Sequence, residues 1–592
     1  MLLNSTDWLI ISSFFLLSLA IGVISSKKAG KSAAEFFLSG RNMPWWLLGI
    51  SMVATTFSCD TPNLVTDIVR QQGVSGNWLW WAFLLTGMLT VFIYAKLWRR
   101  SGILTDLEFY ELRYGGKMAA FLRAFRAVYL GLIFNIIIIA LVSLALIKIG
   151  AVMLHWSPLR TIVIASAVTV VYSALGGLRG ILLTDFFQFI LSMAGAIGAA
   201  VILVNLPEVG GIQNLLSHET VASKTDLLPR ISNTDAFIAV FIIPLAVQWW
   251  SVWYPGSEPG GGGYIAQRML ASKTERGALK ATLLFNATHY ALRPWPWIIV
   301  ALTSLVVFPD LASLREAFPH IDDQIIRHDL AYPAMLSRLP NGFLGLVVAS
   351  LIAAYMSTVS TQLNWGSSYL VNDFYKRFLH QDADEKRLVA MGRIFTVALM
   401  ILAAMLALLL ENALQAFNIV LQIGAGTGLI FILRWFWWRI NAWSELSAML
   451  ISFLVALYFQ FLHPHTGLPE LPASIQLVAG VGITTSLWVL ITFLTPPEKN
   501  EVLTAFYHKI RPGGPGWKRI VERTPAIRDE RTGWDVPTGI LCMVSGCIAI
   551  YSALFATGYM IYGEYLLSVI FIFFATVSGY LMFRKWRKLR IN

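Results

Sequence analysis

The stretch ISMVATTFSCDTPNLVTDIV, residues 50–69, reads as a membrane helix interrupted in its middle. Asp60 and Pro62 fall inside an otherwise apolar run. Pro62 has no N–H to offer the carbonyl of Ser58, and its ring collides with that carbonyl. The pattern predicts a break over residues 57–63 that leaves main-chain carbonyls such as those of Ala54 and Phe57 without helical partners. Irregular backbone at membrane depth is tolerated where it is buried in protein or lines a cavity, so the break is an expected binding region.

Outward from this stretch the whole chain is of one kind. Its 592 residues are 57% hydrophobic and 13% charged, and apolar runs of about 20 residues recur along it. The runs do not alternate in the way a transmembrane barrel requires. An all-α membrane protein of about 15 transmembrane helices is expected, near residues 7–26, 45–70, 75–97, 121–150, 160–178, 181–205, 235–255, 281–308, 341–372, 388–411, 413–433, 441–462, 474–495, 537–557 and 563–583. The first span lacks a basic region ahead of it and a cleavage site behind it, so it reads as a retained helix. Most of the 45 Lys and Arg residues fall in one set of alternate loops and in the tail RKWRKLR. That places the N-terminus outside and the C-terminus in the cytoplasm of a cell membrane, with the bacterial inner membrane as the expected setting. The net charge of +12 thus reports topology, and no nucleic-acid partner or obligate protein partner is implied. Cys59, Cys542 and Cys547 lie within spans, and no disulfide is expected. The segments 206–234, 309–340 and 496–536 are too short for an independent core; the last suits an interfacial element on the cytoplasmic face. TDLE, residues 105–108, has capping-box spacing. No metal-ligand spacing or nucleophile arrangement supports an enzyme.

A second interruption follows in WWSVWYPGSEPGGGGYIAQR, residues 249–268. Two broken spans five helices apart are the expected mark of an inverted-repeat transporter with its site between them. A third feature is LIAAYMSTVSTQLNWGSSYLVNDFYKRF, residues 351–378, which carries Ser357, Thr358, Ser360 and Thr361 on one helix. At about 100° per residue, with Ala354 at zero, Ser360 lies near −120°, Ser357 near −60°, Thr361 near −20° and Thr358 near +40°. Ser357 therefore stands between two clusters. A single hydroxyl in a membrane helix usually bonds back to its own carbonyls; four in five positions suit a hard cation such as Na⁺. Asp185 and Arg293 also lie at membrane depth. Asp185 has helix capping or a pair with Arg179 as its plain reading, and Arg293 has either a pair with Asp60 or contact with a polar solute. His289 reads as a packed polar residue.

Taken together, ALGGLRGILLTDFFQ, QRMLASK, FFLSGRNMPWW and LPNGFLGLVVASLIAAYMSTVSTQLNWGSSYLVNDFY resemble the sodium:solute symporter family, over about residues 7–440. The resemblance implies the leucine-transporter-like fold. Residues 1–40 would then form an extra N-terminal helix and loop, 41–208 the first five-helix repeat, 209–440 the second, inverted repeat, and 441–592 the C-terminal extra helices with the cytoplasmic loop 496–536. Gly180 departs from the family's usual Ala or Ser, without expected consequence. The resemblance also implies Na⁺ at Ala54, Phe57, Ala354, Ser357 and Thr358, and a second Na⁺ at Asp185, Ser357, Ser360 and Thr361. It points to Asp60, Thr61, Asn77, Trp250, Trp253, Arg293 and Gln422 for the solute, and to Na⁺ symport of a small polar solute by alternating access. A sugar or polyol is the leading solute, and an amino acid or small carboxylate held by Arg293 the second. A receptor or channel on the same fold is the reading from another class.

Overall fold

The computed structural model describes residues 3–251, 258–321, 323, 326–409, 424, 426–524 and 534–591. Among these the chain is helical without a strand, and a lone bridge joins Met43 to Ser272. Among the described residues, eleven helices are long and apolar enough to cross a membrane. Seven elements carry the argument below: α1 (Ser5–Ala29), α2 (Trp45–Thr56), α3 (Thr61–Gln72), α4 (Val74–Ser101), α5 (Pro158–Val204), α6 (Gly263–Leu270) and α7 (Glu275–Val307). The hydroxyl-bearing helix is α8 (Phe343–Leu379).

The difference between eleven and the expected fifteen has a physical origin. Span 45–70 is divided between α2 and α3, and spans 160–178 and 181–205 are joined in α5. Span 235–255 is represented by the short helix Thr234–Ala246, and most of span 413–433 lies outside the described residues. At 47 residues, α5 would measure about 70 Å if straight, more than twice the hydrocarbon thickness of about 30 Å. It turns at Gly177, whose φ of 53° and ψ of −163° are not helical. A Cβ there would lie 2.8 Å from the Phe36 carbonyl oxygen, so both conformation and packing require glycine. At Gly180 the nearest atom to an added Cβ is Ser25 Cβ at 3.4 Å, which leaves room for the small side chain seen elsewhere in the resemblance.

The break between α2 and α3 falls at residues 57–60. Phe57 N–H donates to the carbonyls of Val53 and Ala54 at 2.9 and 3.0 Å, and the ladder resumes with Leu64 N–H on the Asp60 carbonyl at 3.0 Å. The Ala54 carbonyl is thus partnered, contrary to the expectation, although an sp² oxygen keeps a second lone pair. At the head of the bundle, Asn4 and Asp7 cap α1 reciprocally. Asp7 Oδ1 also accepts from the N–H groups of Gly342 and Gly345, both at 2.7 Å. One carboxylate serves two helix N-termini, where negative charge is favoured, and so fixes the starts of α1 and α8 at the same end of the molecule.

One smaller expectation changes. The 105–108 capping box does not form: Glu108 accepts from Leu104 N–H at 3.2 Å and the Thr105 hydroxyl donates to Asp373 at 2.8 Å. The loop 496–536 forms helices Asn500–Ile510 and Lys518–Arg523. Its Trp517 donates to the Trp435 carbonyl at 2.9 Å and stacks on Phe506 with ring centres 5.5 Å apart. Part of the apolar face of this segment is thus covered by protein.

Candidate functional site

The four hydroxyls of α8 are all buried and they divide between two directions. Thr358 Oγ1 donates to the Thr55 carbonyl at 2.8 Å and to the Ala354 carbonyl at 3.1 Å, so it bridges α8 to the last turn of α2. Ser357 Oγ turns the other way and donates to Asp185 Oδ1 at 2.7 Å. Thr361 Oγ1 lies 3.0 Å from Thr55 Oγ1. Ser360 Oγ returns to the Ser357 carbonyl at 3.1 Å, the back-bond common to hydroxyls in membrane helices. The helical azimuths account for this division: Thr358 and Ser357 sit about 100° apart.

Asp185, on α5, does not pair with Arg179. Its Oδ2 accepts from the Ser51 hydroxyl and lies 3.9 Å from an Nη of Arg268, with both side chains fully buried. That nitrogen donates to Thr361 Oγ1 at 2.7 Å and to Ser51 Oγ at 3.2 Å, while the other Nη donates to Gln267 Oε1 at 2.8 Å. Four helices, α2, α5, α6 and α8, therefore meet around one carboxylate and one guanidinium. Ser51 and Arg268 were missed in the sequence. Arg268 is visible there only as a charge in QRMLASK after the glycine run, and its partners lie 83, 217 and 93 positions away at Asp185, Ser51 and Thr361.

Beside the break lies a small cavity of about 40 Å³. Thr86, Gly87 and Thr90 of α4 form one wall, Thr282, Asn286, His289 and Tyr290 of α7 another, and Thr56, Glu258, Gly261 and Ile265 close it. Most of its surface is apolar, from residues such as Phe83, Ile265, Phe285 and Tyr290, and the polar groups set into it are hydroxyls, an amide, an imidazole and the Glu258 carboxylate. Glu258 is held by Arg126 at 2.9 Å. His289 is a packed polar residue as expected, buried 3.0 Å from Thr56 Oγ1 and against the rings of Trp80 and Tyr290, and it also borders the cavity. The cause lies in RPWP: Pro294 and Pro296 offer no N–H, and Arg293 N–H bonds to Thr288, five residues back, at 3.2 Å. The widened turn over Thr288–Leu292 is a bulge of the type frequent at functional sites.

Arg293 is buried behind this wall. It donates to Thr56 Oγ1 at 3.1 Å, its second Nη lies 3.3 Å from His289 Nε2, and its guanidinium packs over Phe57 and Trp297. Among the described residues it makes no ion pair with Asp60, and Asp60 Oδ1 and Arg293 Nε have no hydrogen-bond partner. Thr61 begins α3 beside Asp60. Asn77 is buried outside the cavity wall, where its amide donates to the Val74 carbonyl at 2.9 Å and its oxygen accepts from Trp80 at 2.8 Å. Trp250 is half-buried at the end of the short helix Gln248–Trp250 and is not in the cavity wall. Trp253 and Gln422 lie outside the described residues. Thr86 with Thr90 and Asn286 with His289 were missed; their i, i+4 and i, i+3 spacings in apolar spans are the signal that one face of each helix is polar.

Comparison with known proteins agrees with this architecture. The profile of the sodium:solute symporter family matches residues 36–452. A sodium/glucose cotransporter of Vibrio parahaemolyticus is 26% identical, with 78% of this chain and 86% of that protein covered. A human sodium/myo-inositol cotransporter 2 is 26% identical, with 84% and 78% covered. In fold, the chain is similar to the substrate-bound outward-open structure of a Na⁺-coupled sialic acid symporter. The TM-score is 0.67 at 19% identity, and 84% of this chain and 99% of that one are covered.

Proposed function

The chain belongs to the sodium:solute symporter family, and on that premise we propose that it carries a sugar or polyol into the cell together with Na⁺ by alternating access. It is a transporter and not an enzyme. The observation that carries the solute is the cavity beside the helix break, walled by Thr56, Thr86, Thr90 and Asn286. Hydroxyls and amides both donate and accept, as do the hydroxyls of a sugar, while the rings of Phe83 and Tyr290 offer apolar faces to its C–H edges. The cotransporters of glucose and myo-inositol among its relatives point the same way.

In this reading the first Na⁺ takes oxygens of Ala54, Phe57, Ala354, Ser357 and Thr358. A second takes Asp185, Ser357, Ser360 and Thr361, giving two Na⁺ per solute. Asp60, Thr61 and Arg293 stand on the solute side of the break. The topology has about fifteen spans with the N-terminus outside and the C-terminus in the cytoplasm. Residues 41–208 and 209–440 form the two inverted halves, between an N-terminal extra helix and C-terminal helices from 441 onward.

Arg293 supports a second reading. A buried guanidinium without an ion pair among the described residues suits a carboxylate, and hence an amino acid or small carboxylate solute. Purified protein separates the two. A sugar or polyol should raise Tm in Na⁺ and not in K⁺, since a ligand at 100 times its Kd stabilises by about 2.7 kcal/mol. If only amino acids or carboxylates did so, the sugar reading would fall. A reversal-potential measurement in proteoliposomes gives the ratio, and one Na⁺ per solute would remove the second site.

A further inference from the structure

The site proposed for the second Na⁺ has a positive charge of its own against it. Arg268 donates to Thr361 Oγ1 and to Ser51 Oγ, and approaches Asp185 Oδ2 at 3.9 Å. A cation bound by Asp185, Ser357, Ser360 and Thr361 needs the same lone pairs. It would also sit within a few ångströms of a guanidinium that is always charged, in surroundings where charges are poorly screened. The two cations compete for one carboxylate.

We propose that Arg268 is a tethered cation that holds the second Na⁺ site shut, and that Na⁺ enters only once the guanidinium has left Asp185 and Thr361. The inference rests on the assignment of those residues to a second Na⁺. In the proposal, the pivot for that movement is the backbone just ahead of Arg268. The helix that carries it, α6, is entered through Gly260, Gly261 and Gly263, with φ of 85°, 84° and 51°, conformations that glycine adopts without penalty. The same segment borders the solute cavity through Gly261 and Ile265. Solute that draws α6 towards it would carry Arg268 off Asp185 and open the cation site, so that Na⁺ loads mainly when solute is present. The guanidinium thereby makes transport of one depend on the other.

Equilibrium binding of radioactive Na⁺ to the full chain in lipid nanodiscs tests this. Wild type should bind one Na⁺ without solute, and two with the sugar or polyol found in the thermal screen. Arg268→Gln should bind two without solute, with the second half-saturated at a concentration at least tenfold below that of wild type. Adding Asp185→Asn to Arg268→Gln should return the count to one and leave the first affinity unchanged. Arg268→Lys, whose compact ammonium cannot fork between Thr361 and Ser51, should tighten the second Na⁺ about threefold. It decides the matter if Arg268→Gln yields no folded protein. Unchanged count and affinity in the folded Arg268 variants, with wild type still binding two ions with solute, would overturn the role of Arg268 alone. One ion in every variant and condition would instead remove the second site, and the inference with it.

Discussion

The two sides of Ser357 are built from different materials. Towards α2, the contacts of Thr358 are neutral: a hydroxyl lies between the carbonyls of Thr55 and Ala354. Towards α5, the contacts are charged: a carboxylate takes two hydroxyls and faces a guanidinium. A cation on the neutral side displaces no charge and is drawn by oriented dipoles. On the other side the protein has already balanced its charge, and any cation has to disturb that balance. Adjacent sites on one helix should therefore differ in what a mutation does, the charged side failing first in stability and the neutral side first in affinity.

The largest effect expected is that of Asp185→Asn, which strands Arg268. Removing one partner of a buried ion pair costs about 3–5 kcal/mol, so Tm should fall sharply. Arg268→Gln in the same chain should recover most of it, because the neutral pair strands nothing. If Asp185→Asn melted like wild type, the guanidinium would have other support, and the contrast between the two sides would lose its charged half. The single mutant is thus a poor probe of Na⁺ stoichiometry.

On the neutral side, Thr358→Val keeps the shape of the side chain and removes its oxygen. A hydrogen bond or ligand contact to a charged group is worth about 1.5–3 kcal/mol, which predicts a loss of Na⁺ affinity of ten- to a hundredfold with little change in Tm. An unchanged Na⁺ dependence of uptake would show that Thr358 only joins α8 to α2.

What the sequence revealed of these two sides follows the range of the interactions involved. The break was legible because Pro62 acts on residues within four positions of itself, and the opposite directions of Ser357 and Thr358 because the helical angle is a local property. Arg268 was not, since nothing near it in the chain announces a pairing with residues 185, 51 and 361. The local bonds of Asn77 show the same short range as the effect of Pro62, since Val74 and Trp80 each lie three residues from it. His289 is packed as its place in an apolar span suggests, while its position on the cavity depends on the widened turn before Pro294, which a count of polar residues does not capture.

The solute cavity provides a control for both cation sides. A Cβ at Gly87 would lie 1.7 Å from Asn286 Oδ1, so Gly87→Ala must push that amide into the space proposed for the solute. Forcing a methyl into a packed site costs about 1–3 kcal/mol, and solute affinity should fall five- to a hundredfold. Binding of Na⁺ without solute should not change. A parallel loss of Na⁺ affinity would mean that cavity and cation oxygens form one site rather than neighbours.

The smallest effect should come from Ser360→Ala. In the structure its hydroxyl serves the Ser357 carbonyl of its own helix, and to reach a cation beside Asp185 it has to rotate away from that bond. Losing such a back-bond changes stability by about 1 kcal/mol or less, the smallest change in the series. Its contribution to Na⁺ is offset by the bond it gives up, so the second ion should weaken by about two- to threefold while the reversal potential still reports two Na⁺ per solute. The measurement separates three cases. A ratio that falls to one makes Ser360 indispensable and shifts the charged side towards α8. No change in affinity leaves Asp185, Ser357 and Thr361 to hold the ion without it. A small loss at constant ratio is the result expected if the carboxylate dominates that side, as the position of Arg268 indicates.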